Sequence, residues 1–203
     1  FYIKILKNIK KILIIIQRSN GDVFLSRSLI EQLQKNLKPK SMDLLVNDDT
    51  LSTAKLIPHI GQIYTFSYLK KKNTQWTQEK DLIKKIFRKY DLSINLTASD
   101  RSVLYTILAS KNAISAVEKN SKKSWWKKLL LKGTYNFDFS KHILLNNLEP
   151  LRCMGIALSK IQVEPTISKT ANNSIKSKLE DLTVDKFLIF HPSAQYRYKI
   201  YPK

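Results

Sequence analysis

One acidic side chain stands where a proton acceptor could work. Asp22 closes the stretch Arg18-Ser19-Asn20-Gly21-Asp22, which follows the apolar run Ile12 to Ile16. Beyond it, Leu25, Leu29, Ile30, Leu33 and Leu37 recur at helical spacing. A strand-to-helix turn puts such a carboxylate at the helix amino end, with Gly21 expected to let the backbone turn tightly. There the helix dipole stabilises the anion by ~0.3–1 kcal/mol. An ionised carboxylate facing a crevice can take a proton from a hydroxyl. It can equally serve as a helix cap, and spacing alone favours the cap. Two further loops could carry ligand-binding groups, Thr97 to Ser102 and His191 to Lys199. The remaining candidates are weaker. His59, His142 and His191 lack metal-ligand spacing, and Asp48-Asp49 reads as a capping turn, so no metal is expected. Cys153, in an apolar helical stretch, reads as a small core residue.

The elements that must position these residues alternate along the chain. Lys11 to Ile16 is short, β-branched and continuously apolar, as in a parallel strand buried on both faces. Pro39 ends the first helix. Further strands are expected at Met42 to Val46, Ile63 to Tyr68, Leu92 to Leu96, Ala113 to Val117 and Lys186 to Phe190. Helices are expected from about Leu51 to Ile57, Gln75 to Lys89, through Leu104 and Leu108, and from about Ser140 to Ala157. This order predicts an α/β fold with a doubly wound, mostly parallel, Rossmann-like sheet. In such sheets ligands bind beyond the carboxyl ends of the strands. Residues 1–158 are expected to form one domain, 159–185 a linker or surface helix, and 186–203 the opening of a second domain.

Composition narrows the function classes. The 203 residues carry 36 Lys+Arg against 16 Asp+Glu, a net charge of +20, with 43% hydrophobic and 26% charged residues. That balance describes a globular chain. A single cysteine excludes an internal disulfide framework. The four glycines fit neither a dinucleotide fingerprint nor a P-loop. No apolar stretch reaches the ~18 residues of a membrane span. The basic amino end, broken by Lys7, Lys10 and Lys11, reads as a strand, not a leader. Seven lysines lie in residues 111–132 around Trp125-Trp126, against Glu118 alone. Trp beside Lys suits an anionic membrane surface, although a lysine-rich composition with solvated lysines gives the same pattern. Nucleic-acid binding lacks any supporting motif.

The segment from Lys11 through Asp22-Val23 resembles the opening of glycosyltransferase family 9, the lipopolysaccharide core heptosyltransferases. Four later segments agree in order. They are Met42 to Val46, Tyr90 to Thr97, His142 with Leu148 and Gly155, and His191-Pro192-Ser193 with Lys199-Ile200-Tyr201-Pro202. The last has Tyr201 where the family usually has tryptophan. Asn95-Leu96-Thr97 and Trp125-Trp126-Lys127-Lys128 resemble the branch-adding, third heptosyltransferases of the inner core most. The family's later sugar-nucleotide stretch, D-[ST]-[GA]-x-x-H, is absent from these residues. The resemblance implies the amino-terminal half of a GT-B fold. It implies an inverting transfer of heptose from ADP-heptose to an anionic lipopolysaccharide core at the cytoplasmic face of the inner membrane, without a cofactor. Asp22 would be the general base, and Ser19, Asn20, Gly21, Arg101 and Ser102 acceptor contacts. Ser193 and Lys199 would bind the donor or a phosphate. The alternative is a non-catalytic basic domain that binds anionic glycolipid or a membrane surface.

Overall fold

A computed structural model describes residues 8–69, 71–118, 125–159 and 169–179, together with Leu188 and Phe190. Strand β1 (Lys11–Ile16) has Ile12 through Ile16 fully buried, because helices cover both faces of it. Helices α1 (Asn20–Leu25) and α2 (Arg27–Leu37) follow. They are separated at Ser26, whose buried hydroxyl donates to the Val23 carbonyl at 2.7 Å and competes with the helical ladder. Helix α2 stops before Pro39, with Lys38 in the left-handed region at φ 46°. Strand β2 (Ser41–Asn47), a 3-10 turn (Asp48–Thr50) and the short α3 (Leu51–Ala54) lead to β3 (Ile60–Phe66). Then come α4 (Lys71–Ile86), β4 (Leu92–Asn95), α5 (Asp100–Ala109) and β5 (Ala113–Val117). The series continues with α6 (Trp125–Leu130), β6 (Gly133–Asn136), α7 (Ile143–Cys153) and α8 (Lys169–Leu179).

The six strands form one parallel sheet in the order β3-β2-β1-β4-β5-β6. This is the doubly wound Rossmann-like order, and it reverses direction between β1 and β4. Alternation along β1 divides the core. Ile12, Ile14 and Ile16 pack with Val23, Leu29, Leu33 and Leu148 on the α1–α2–α7 face. Leu13 and Ile15 pack with Phe66, Leu82, Ile86 and Tyr105 on the α4–α5 face. Each fully buried Ile or Leu contributes ~1.5–3 kcal/mol.

Several boundaries differ from those expected from sequence. Strand β3 begins at Ile60, α4 begins at Lys71, and α3 ends at Ala54. Strand β6 was not expected. Its Gly-Thr-Tyr-Asn sequence has one buried residue, Tyr135, so no apolar run marks it. Helix α7 starts later than Ser140 because Asp138 and Ser140 form a turn, and His142 Nδ1 accepts from the Leu144 amide as the cap. It ends before Gly155, whose φ of 69° is left-handed. The chain divides into two compact units, Phe1–Thr166 and Ile167–Lys203. In the second, α8 lies in the polar stretch and exposes Ile175 and Leu179. The expected strand at Lys186 to Phe190 lies outside the described residues except for Leu188 and Phe190, which are exposed.

Candidate active site

The strand order reverses between β1 and β4, and sheets of this kind bind ligands beyond the carboxyl ends of the strands at such a point, where the loops after β1 and β4 lie. The two loops are tied together. The Gln17 amide donates to Thr97 Oγ1 at 3.0 Å, and the Leu96 amide donates to the Ile15 carbonyl at 2.9 Å.

Asp22 sits in the first turn of α1. Arg18 Nε donates to Asp22 Oδ2 at 2.8 Å, with the two side chains 27% and 20% exposed. The Arg18 guanidinium lies 4.6 Å from the centre of the Phe137 ring, and Phe137 meets Phe139 edge-on at 5.0 Å. Asn147, buried on α7, reaches the Asp22 carbonyl with Nδ2 at 3.4 Å. The carboxylate is thus gripped by a stacked arginine on one oxygen, while Oδ1 has no hydrogen-bond partner among the described residues. The capping alternative fails, because the carboxylate bonds Arg18 instead of a helix amide. The cap residue Ser19 is extended (φ −66°, ψ 164°) and makes no side-chain cap bond. The expected role of Gly21 is also corrected. Its φ is not left-handed, and a Cβ there would meet nothing within 4 Å. The residue leaves open space at the helix end instead of enabling a turn. Ser19, Asn20 and Gly21 are all exposed there, and Asn20 Oδ1 accepts from Thr53 Oγ1 at 2.6 Å.

The loop after β4 is built on Asn95, which is fully buried. Asn95 Nδ2 donates to the Thr97 carbonyl, Ser102 Oγ and Ser115 Oγ, and Asn95 Oδ1 accepts from the Thr97 amide. Ser102 is 0% exposed, and its hydroxyl lies 2.8 Å from the Thr97 carbonyl and 2.9 Å from the Ser99 carbonyl. As an acceptor contact it is therefore a correction, since the hydroxyl fastens the loop from inside. Arg101 beside it is half-buried, 3.3 Å from Glu79 Oε1 and stacked 4.4 Å over the Phe66 ring. Lys127, 3% exposed, reaches in from α6 to bond Asp100 Oδ1 at 2.6 Å and the Ala98 carbonyl at 3.2 Å. This places α6 beside the same loop.

Sequence reasoning assigns no site role to Arg18, Phe137, Asn147 or Lys127. The opposite charges of Arg18 and Asp22 four residues apart were a readable signal. The others are brought in only by tertiary packing. His191, Ser193 and Lys199 lie outside the described residues. Asp48 accepts from the Asp49 amide at 3.0 Å, as a capping turn does. Cys153 is half-buried against the core, and burial pushes its thiol up, which disfavours the thiolate.

No family model matches the chain. Lipopolysaccharide heptosyltransferase 3 of Escherichia coli (strain K12) is 26% identical over 196 residues, covering 90% of this chain and 54% of that protein. The crystal structure of the glycosyl transferase family 9 protein from Veillonella parvula DSM 2008 superposes with a TM-score of 0.73 at 15% identity, over 95% of this chain and 56% of the other. The chain resembles the family 9 lipopolysaccharide heptosyltransferases. E. coli heptosyltransferase WaaC, solved with ADP, gives a TM-score of 0.68 at 15% identity, over 95% of this chain and 61% of the enzyme. The heptosyltransferase likeness fixes the fold as the Rossmann-like, amino-terminal half of a GT-B architecture. The chain spans about half the length of the curated heptosyltransferases it matches.

Proposed function

We propose that the chain is the acceptor-binding part of an inverting glycosyltransferase, which moves heptose from ADP-heptose to the inner core of lipopolysaccharide. The observation that carries this reading is Asp22, held by Arg18 at the crevice beside β1 with one carboxylate oxygen unengaged. The resemblance of the segment Lys11 to Val23 to the opening of family 9 supports the same residue as base. In the proposed step, Asp22 takes the proton of an acceptor sugar hydroxyl. The oxygen attacks the anomeric carbon from the face opposite ADP, the new glycosidic bond forms, and the bond to the diphosphate breaks with its electron pair leaving on ADP. Ser19, Asn20, Gly21 and Arg101 are the proposed acceptor contacts. Ser193 and Lys199, outside the described residues, are the proposed donor-side pair, with Lys199 neutralising the leaving diphosphate.

The reading is tested in a chimera that joins this chain to the part of E. coli heptosyltransferase 3 beyond the matched region. Asp22→Ala lowers heptose transfer by ~10²–10⁴-fold and leaves ADP-heptose affinity unchanged. Equal turnover of the variant removes Asp22 from the mechanism.

A second reading has its own support. Helix α6 exposes Trp125 (69%), Leu129 (75%) and Leu130 (55%) beside the exposed Lys128, and among the described residues no helix is long and apolar enough to cross a membrane. An apolar patch with an exposed lysine beside it suits peripheral contact with anionic lipid, at the cytoplasmic face of the inner membrane in the glycosyltransferase reading, or as the sole function of a non-catalytic domain.

A further inference from the structure

All the strands run in one direction, so the residues that lead into them gather at a single end of the sheet. That end is the opposite one from Asp22, and β1 alone spans roughly 20 Å between the two. Lys10, Lys40, Lys89, Lys111 and Lys132 lead into β1, β2, β4, β5 and β6, and all of them are exposed. The one acid on these approaches, Asp91, is committed to the backbone. Its Oδ2 accepts from the Lys10 and Lys11 amides at 2.9 Å each. Among the described residues Lys127 and Lys141 are the lysines that form ion pairs, so no carboxylate neutralises the described lysines of this end.

At one place this charge surrounds a cavity. Lys10, Lys38 and Lys40, with Asn8, Asn36 and Leu37, line about 360 Å³, which is room for a small ligand, and no carboxylate lines it. The backbone that carries the lysines is pinned. The Lys10 carbonyl accepts from the Lys40 amide at 2.8 Å and from the Ser41 amide at 3.1 Å, and Ile9 and Pro39 are buried. Lys38 caps α2 in the left-handed region at φ 46°, a place that glycine fills without steric cost. The dipole of α2 favours a cation at its own end. It does not account for Lys10 and Lys40, which lead into strands, and sheets have only small net dipoles. Like charges around one hollow repel each other, and a bound anion relieves them. Asn36 Nδ2 is taken up by the Gln32 carbonyl at 2.7 Å, so the ammonium groups supply the attraction. A phosphate monoester carries about −1.5 to −2 charges at neutral pH, so two linked phosphates balance the three lysines better than one.

We infer that Lys10, Lys38 and Lys40 form an anion site for a ligand carrying two linked phosphates, at the end of the sheet away from Asp22. The inference uses none of the residues of the glycosyltransferase reading and stands or falls apart from it. Its pinned backbone sets the three ammonium groups around the hollow before the ligand arrives, which lowers the ordering cost of binding. A left-handed lysine at the end of α2 is kept there for its charge and not for its backbone.

The test titrates the 203-residue chain with inorganic pyrophosphate and, separately, inorganic phosphate at physiological salt, followed by calorimetry. Pyrophosphate is expected to bind the more tightly. Lys38→Gly removes a charge and suits the left-handed backbone, so it is expected to keep or raise Tm while weakening pyrophosphate about tenfold or more. Lys10→Gln and Lys40→Gln are expected to weaken it similarly. Lys89→Gln and Lys111→Gln, at the same end of the sheet but outside the cavity, leave the affinity within about twofold, because salt screens exposed charges. Equal losses in the two sets show a diffuse basic surface and overturn the site, as does the absence of binding at millimolar pyrophosphate. Flotation with phosphatidylcholine vesicles, with and without phosphatidic acid, separates the sources of the phosphate. Recovery on phosphatidic acid that Lys38→Gly lowers assigns it to a lipid headgroup, and recovery that Lys38→Gly does not change assigns it to a soluble ligand. Either result supports the site once pyrophosphate binding follows the cavity lysines.

Discussion

Arg18 does two things to Asp22 that a lysine could not do together. Its planar guanidinium stacks on Phe137 and directs Nε at one carboxylate oxygen, which fixes the rotamer and leaves the other oxygen for a substrate hydroxyl. As an ion pair with both side chains partly exposed, the contact is worth only ~0.3–0.5 kcal/mol of stability. Its value to a base is orientation, since an error of about 1 Å in placement costs on the order of 10² in rate. Arg18→Met is therefore expected to leave the Tm of the chain within about 2 °C of the original. In the chimera it lowers kcat by roughly 10–100-fold with little change in the KM for ADP-heptose. Arg18→Lys, which keeps the charge but not the stacking, recovers only part of the rate. Full recovery by lysine shows that charge alone matters and sinks the positioning role. Asp22 and Arg18 were both legible as residue types four apart in sequence, but the ring beneath Arg18 was not. Phe137 follows β6, whose four residues carry no apolar pattern and which joins the sheet only at its far edge.

At the scale of elements, α6 connects the basic-aromatic segment to the crevice. Lys127 turns inward, while Trp125 and Leu129, four residues apart on one helical face, turn outward. The segment read from sequence as a run of like charges thus contains one lysine that is a buried strut for the loop after β4. If α6 meets lipid, the chain is expected to float with vesicles containing anionic lipid at low salt, and Trp125→Ala with Leu129→Ala reduces recovery several-fold without lowering Tm. Equal recovery with neutral and anionic vesicles leaves α6 as an exposed helix of a basic protein. The loop after β4 follows the same lesson. Sequence offered Arg101-Ser102 as a pair of ligand contacts, but helical geometry buries one under the loop and leaves the other over Phe66. Adjacent residues on a helix point about 100° apart, so a pair in sequence is seldom a pair in a site.

At the scale of the whole molecule, the chain carries a sheet with helices on both faces, yet its match covers 54% of heptosyltransferase 3. Because the match spans only 54% of heptosyltransferase 3, the purified 203-residue chain is expected to fold cooperatively but to show no heptose transfer by itself. Transfer by the purified chain in a radiolabelled ADP-heptose assay contradicts that. Ile14→Ala, at the centre of β1 with neighbours on both sides in the sheet, is expected to lower stability by ~2–5 kcal/mol in denaturant titration. The strands β1, β2, β4 and β5, the stop before Pro39 and the place of Asp22 at a helix start were all written in the amino-acid order, because short apolar runs and turn residues act locally. What Arg18 stacks on and which α7 side chain reaches the Asp22 carbonyl were decided only when distant parts of the chain came together, 125 positions apart for Asn147 and Asp22. Such contacts depend on which face each side chain takes in the assembled sheet, and a shift of one residue in register would exchange the two faces.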